Sequence, residues 1–173
     1  MIENYISLIS SNELKVFILS MLPITELRFS IPYGYFVLEM SVFKTTILSI
    51  IGNILIGYLI IIAIGPIMSK FRKIYFLKRI IDKIFSITRK KGARIDKLKF
   101  IGLLLFVGIP MPFTGVWTGS LAAYLFGLNT FKSILTIIGG VLLSSSIVTF
   151  ICISSKELLL YFNIIILLFV FFI

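Results

Sequence analysis

Apolar runs dominate this chain, and the few residues that interrupt them mark out its elements. Residues 45–68, TTILSIIGNILIGYLIIIAIGPIM, carry no charge, and as a helix they would reach about 36 Å at 1.5 Å per residue. That exceeds the ~30 Å hydrocarbon thickness of a bilayer, so a somewhat tilted membrane span is predicted. Residues 133–153, SILTIIGGVLLSSSIVTFICI, are also uncharged and just long enough for a second span. Residues 5–22 are interrupted by Glu13 and Lys15 and predict a short span or an interfacial helix. Residues 158–173, LLLYFNIIILLFVFFI, predict a tightly fitted final span. The stretch 100–128 is apolar throughout, yet GIPMPFTG breaks it in the middle.

That break sets the expected topology. Pro110 and Pro112 lack amide donors and disfavour helix at the residues before them. Gly108, Gly115 and Gly119 loosen the same region further. Broken backbone is tolerated at membrane depth only where protein or a water-filled cavity covers it. The pattern therefore predicts helix, break, helix over 100–128: a re-entrant hairpin rather than one continuous span. A continuous span would reverse the orientation of the second half. An earlier segment, PITELRFSIPYGY (23–35), has the same layout, with Pro23 and Pro32 bracketing Glu26 and Arg28.

A shift of 88 residues relates the two halves. It lays SVFKTTILSIIGN (41–53) over NTFKSILTIIGGV (129–141), so that Phe43 meets Phe131, Lys44 meets Lys132 and Gly52 meets Gly140. Without a gap it also lays LPITELRFSIP (22–32) over PMPFTGVWTGS (110–120). The expected fold is thus an all-α integral membrane protein, an inverted repeat of re-entrant helical hairpin plus transmembrane helix. It would form one multi-pass domain over residues 1–173. The first repeat spans about 15–68, a connector 69–99, the second repeat 100–155 and a C-terminal apolar helix 156–173.

Composition narrows the class. The chain is 59% hydrophobic and 14% charged, with mean hydropathy +1.13, whereas soluble domains are about 25% charged. The N-terminus starts with an acid and shows no small-residue cleavage site, so it reads as mature sequence rather than a secretory signal. One cysteine, Cys152, excludes an internal disulfide framework. The absence of histidine excludes Cys/His zinc sites and triad chemistry of the Ser-His-Asp kind, so neither enzyme nor metal site nor cofactor is expected.

Charge is local. Twelve of the 17 bases but only two of the seven acids lie between Lys70 and Lys99. Positive charge beside membrane spans marks a cytoplasmic loop, so a cell-membrane protein with connector 69–99 in the cytoplasm is expected, with no nucleic-acid partner. In FRKIYFLKRIIDKIFSITRKK, Ile74, Leu77, Ile81, Ile84 and Phe85 share one helical face. That predicts an amphipathic helix on the cytoplasmic leaflet, held by anionic lipids. With this orientation the two hairpins enter from opposite faces and their breaks approach mid-membrane, a plan common at transporter sites.

PITELRFSIPYG and PMPFTGVWTGSLAA resemble the two signature segments of the small multidrug export protein family. That family is similar to the DedA and VTT-domain membrane proteins, in which two re-entrant hairpins face each other. The resemblance covers roughly residues 15–155. It matches Glu26, Arg28 and Pro32 to the first motif, and Pro110, Pro112, Thr114, Gly115, Trp117, Thr118 and Gly119 to the second. Two departures stand out. Phe29-Ser30 replaces the family's usual Gly-Ala, and the second hairpin here lacks the arginines of the DedA-like relatives. The resemblance implies export of a small molecule or drug, proton-linked with Glu26 as the proton or cation acceptor and Arg28 as the anion-binding group or counter-ion. The wider superfamily implies, as an alternative, translocation of a lipid or polyprenyl phosphate.

Glu26 and Arg28 are the first candidates for a substrate or ion site. Intramembrane charges are costly and normally face a cavity or a partner, although both side chains would snorkel to water if the segment lay at the interface. In a regular helix residues two apart do not face each other, so a direct pair needs the irregular backbone that the prolines allow. Thr114, Trp117 and Thr118 are the candidates from the second hairpin, Trp117 by stacking or cation–π contact. Close helix packing explains Gly115, Gly119, Ala122 and Ala123 equally well. It also explains the polar stripes of the spans, which include Asn53 and Ser144. Pro23, Pro32, Pro110, Pro112, Gly115 and Gly119 are expected to form the hairpin breaks. The chain is small enough that a homo-oligomer would complete a pathway. A non-transporting organiser, gathering lipids through its basic connector, is the reading from a different class.

Overall fold

The computed structural model describes residues 11–71, 93–111 and 114–171, and these are helical with short connecting turns. The expected amphipathic helix of the connector, and Pro112, lie outside the described residues.

Helix α1 (Asn12–Met21) starts where Ser11 Oγ accepts the Leu14 amide at 3.2 Å, with Glu13 in the favourable first turn. It ends just before Pro23, which disfavours helix at the preceding residue. Ten residues give about 15 Å, half a bilayer. After the turn at 22–25 comes α2 (Glu26–Pro32), which opens into a π-helical turn at Tyr33–Val37. Pro32, expected as a break, is instead helical itself and lies within one continuous helical run over 26–37, which only widens to a π-helical turn after it, where the missing proline amide is accommodated.

Helix α3 (Val42–Phe71) and helix α6 (Thr130–Phe171) are the long elements. Within them Val42–Met68 and Thr130–Lys156, 27 residues each, are apolar and long enough to cross a membrane. Both begin three residues before the uncharged runs do, because each has its own start signal. Ser41 Oγ accepts the Lys44 amide at 3.4 Å, and Asn129 Oδ1 accepts the Lys132 amide at 3.1 Å. One turn on, Thr45 Oγ1 and Ser133 Oγ donate back to the Ser41 and Asn129 carbonyls at 3.0 and 2.9 Å. The separate C-terminal helix expected at 156–173 is instead a continuation of α6 as far as Phe171. No glycine or proline lies between Val141 and Phe171 to interrupt it.

The stretch 100–128 holds the end of α4 (Ala93–Gly108) and all of α5 (Val116–Leu125), joined by a break that includes 109–111 and 114–115. Thr114 ties the chain just after α4, its Oγ1 lying 2.9 Å from the Ile109 carbonyl and 2.8 Å from that of Met111. Gly119, expected in the break, lies inside α5, where it is buried and a Cβ would meet Val107. Its smallness serves the approach of α4 and α5.

Each long helix receives the first short helix of its own half at a glycine. At Gly52 a Cβ would stand 2.8 Å from the Phe17 carbonyl, and at Gly140 2.7 Å from Val107 Cβ. The long helices join directly through Thr46 and Thr149, whose hydroxyls are 2.8 Å apart. The core between these elements gathers Leu27, Ile31, Leu103, Val107, Val116, Ile137 and Val141. The opposite faces present Ile51, Leu55, Leu59, Leu135, Leu142 and Phe150 to the surroundings. Exposed apolar surface on this scale marks contact with a membrane or a partner.

The first break is placed by contacts at both ends of the α1–α2 unit. Glu13 reaches Lys44 at 2.6 Å near the start of α3, and Lys156 stands 4.7 Å over the Tyr35 ring. The turn at 22–25 lies further along, beside Asn53, which is near the middle of the Val42–Met68 stretch. Gly115 of the second break shares a narrow seam with Asn53 and with Ser144 of α6, which lies near the middle of the Thr130–Lys156 stretch.

Candidate functional site

The end of α1 shows why the first break holds its shape. The last carbonyls of a helix have no partner within it. Here Thr25 Oγ1 donates to Leu19 O at 2.5 Å, Asn53 Nδ2 to Ser20 O at 2.6 Å and Trp117 Nε1 to Met21 O at 3.0 Å. Three side chains from three elements hold the end of one helix. Trp117 is consequently a tie between the two breaks as well as part of a wall.

Glu26 follows with a left-handed backbone, φ 47°. Such a conformation costs a side-chain-bearing residue roughly 1–2 kcal/mol, and it aims the carboxylate at the second break. Arg28 Nη2 meets Glu26 Oε2 at 3.1 Å, and its Nη1 donates to the Met111 carbonyl. The Trp117 amide, in the first turn of α5, points at Glu26 Oε1 from 3.4 Å. The carboxylate therefore occupies the positive end of α5 while also pairing with Arg28. Glu26 is 6% exposed, and the Arg28 side chain 20%. The irregular backbone lets residues two apart meet, and the pair clamps one break to the other.

Gly115 makes the clamp possible. A Cβ there would sit on the Glu26 carboxylate and the Arg28 guanidinium. Its φ of 166° is extended backbone open to any residue, so space alone demands glycine here.

A cavity of about 510 Å³ opens over this pair. All five residues singled out as binding candidates line it: Glu26, Arg28, Thr114, Trp117 and Thr118. Pro23, Pro110 and Phe29 supply apolar wall. Its volume is that of a small-molecule site, and its few polar groups lie close together amid apolar lining. Behind the pair runs a second, much narrower seam, reached by Asn53 of α3, Ser144 of α6, Val107 and Val141. Sequence reasoning assigned Asn53 and Ser144 to helix packing. The signal that could have marked Asn53 was an amide at the middle of an otherwise uncharged apolar span. Gly115 was read as a break and not as the floor under the charged pair. Among the described residues no cluster of three or more acidic, histidine or cysteine side chains is placed to hold a metal.

Two membrane-length apolar helices with exposed apolar faces, packed around broken helices that carry a buried ion pair, define a helical membrane protein. Residues 26–147 match the family described as "Putative small multi-drug export protein", more than two thirds of the chain, and the protein belongs to that family. The match begins at Glu26 and contains every lining residue of the cavity from Glu26 onward. No curated protein and no solved structure matches the chain.

Proposed function

We propose that the protein is a proton-linked exporter of small, largely apolar molecules, bound in the cavity above Glu26 and Arg28. The family's export description favours a transporter over an enzyme. The observation that carries the reading is the cavity itself, apolar-walled and floored by one carboxylate that holds both breaks together. Protonation of Glu26 removes the ion pair with Arg28 and weakens the bond from the Trp117 amide, so the clamp between the breaks loosens. Deprotonation re-forms it. Proton binding is thereby coupled to the geometry of the cavity floor.

In this reading the α1–α2 and α4–α5 units are re-entrant hairpins from opposite faces, related as an inverted repeat. The support is the pairing of positions 88 apart: the caps Ser41 and Asn129, the back-bonding Thr45 and Ser133, and the packing glycines Gly52 and Gly140. The basic connector is then cytoplasmic and rests on anionic lipids. A phosphate-bearing substrate is the weaker choice, because Glu26 already engages both Arg28 and the amide end of α5.

The test is gradient-driven flux in proteoliposomes of purified protein, followed with a fluorescent apolar amine. Wild type is expected to accumulate the probe when a proton gradient is imposed and to stop when it is collapsed. Glu26→Gln, which keeps the shape but not the charge, is expected to bind probe and lose gradient-driven flux. Equal flux in the two proteins would refute the proposal.

A further inference from the structure

Three residues that line the seam behind the ion pair each carry a polar atom that no bond explains. Arg28 Nε, Asn53 Oδ1 and Ser144 Oγ are buried and without a hydrogen-bond partner. Asn53 is fully buried and Ser144 2% exposed, and both line the seam together with Glu26 and Arg28. Unpaired buried polar atoms are costly, and native proteins leave few of them. The three residues come from three helices and line one seam with Glu26, whose carboxylate oxygens are engaged by Arg28 Nη2 and the Trp117 amide.

Their chemistry is selective. Asn53 cannot turn its amide round, because Nδ2 is donated to the Ser20 carbonyl at 2.6 Å, so its unpaired atom is the acceptor Oδ1. The seam therefore offers one obligate acceptor, one obligate donor (Arg28 Nε–H) and one hydroxyl that serves as either. A carboxylate is a poor guest there, since it has nothing to give Asn53 Oδ1. The seam is closed to any water-sized group in this conformation, so a guest enters only as the clamp loosens and the lining side chains part. A neutral carboxyl group matches all three: its O–H donates to Asn53 Oδ1, and its C=O accepts from Ser144 Oγ–H and Arg28 Nε–H.

We infer that the seam is the receptor for the protonated Glu26 side chain, with Asn53 and Ser144 as the positioning residues that select the neutral form. The inference rests on the proton-linked reading above and adds the place to which the proton-bearing group moves. When charged, Glu26 pairs with Arg28 Nη2 and the Trp117 amide on the cavity side. When neutral, it turns into the seam, and the cavity floor opens. Among the described residues lining the cavity or the seam, Glu26 and Arg28 are the charged side chains, so no other titrating group in either lining competes for the effect.

The experiment is infrared titration of the reconstituted full chain, reading the carboxylic C=O stretch that disappears in Glu26→Gln. Ser144→Ala removes one donor to that C=O without adding atoms. It is expected to move the band to higher frequency and to weaken the proton affinity of Glu26 about fivefold, the equivalent of one ordinary hydrogen bond. Ser144→Thr, which keeps the hydroxyl, is expected to restore both. Ser145→Ala is the control for a purely structural effect, since Ser145 is as buried but bonds its own helix at Leu142 O, 2.9 Å away. It is expected to leave band and affinity unchanged. An unmoved band in Ser144→Ala would overturn the inference. So would a water O–H band lost in Ser144→Ala while the Glu26 band stays, which would make the seam a water site. The proton-linked reading fails separately, if Glu26→Gln transports normally.

Discussion

Gly115→Ala isolates the clamp from the fold. The added methyl would fall on Glu26 Oε2 and Arg28 Nη2, the far ends of two side chains, which are its nearest contacts. Because φ at 115 is 166°, alanine adopts the same backbone without strain. What the methyl displaces is the 3.1 Å ion pair and the 3.4 Å contact from the Trp117 amide. A charge-assisted hydrogen bond contributes about 1.5–3 kcal/mol. Separating a buried ion pair costs about 3–5 kcal/mol when one charge is stranded. Here neither charge is removed, and the Arg28 side chain, 20% exposed, recovers some solvation through the cavity. The expected loss is therefore at the lower end, about 2 kcal/mol. For a domain of this size that lowers the unfolding midpoint by roughly 4–8 °C. The comparison variant is Gly52→Ala, whose Cβ would stand 2.8 Å from the Phe17 carbonyl, an atom that cannot rotate away. Both would be followed by thermal unfolding in detergent and by gradient-driven flux in proteoliposomes. Gly115→Ala is expected to keep a cooperative fold and lose most of the flux, while Gly52→Ala loses the fold first. Wild-type flux and stability in Gly115→Ala would refute the claim that this contact holds the pair.

Other variants probe single links. Trp117→Phe keeps a ring in the cavity wall but deletes the 3.0 Å bond to Met21 O. A loss of about 1–3 kcal/mol is expected from the orphaned carbonyl, read as a lower unfolding midpoint. An unchanged midpoint would show that the tie contributes nothing. Thr46→Val and Thr149→Val, singly and together, form a double-mutant cycle across the 2.8 Å contact between the two long helices. A coupling of about 0.6 kcal/mol is expected, the usual size for such bonds within membranes, and a cycle that closes at zero would show the hydroxyls to be uncoupled.

What the sequence disclosed and what it hid follow from the range of each interaction. The long helices, the two breaks and the membrane class depend on local content: uncharged runs, prolines, and the near absence of polar interruptions. All of that can be read along the chain. The capping signals Ser41 and Asn129 are local too. They moved the starts of the long helices only three residues from the uncharged runs. The continuation of α6 past Lys156 was hidden because a hydropathy count stops at a charge, whereas a helix stops only where backbone bonding fails.

The site was half visible for the same reason. Glu26 and Arg28 stood out because charge is rare here, and the prolines around them announced an irregular backbone. Their counterparts carry no such mark. Met111 contributes a carbonyl, Gly115 an absence of side chain, and Trp117 a backbone amide. None of these is distinguishable from packing until a distant segment, over 80 residues away, is laid against it. Asn53 shows the limit most sharply. Its amide nitrogen has a structural duty at the end of α1, which justifies reading it as packing. The same bond fixes its oxygen as the free atom, buried and with no partner in the charged state of the site. One side chain thus serves the fold with one atom and leaves the other for function. Position in sequence cannot separate those roles, and replacing Asn53 outright would remove both together. Ser144, whose backbone belongs to α6 and whose hydroxyl has no bond to lose, is therefore the residue at which the functional role can be tested alone.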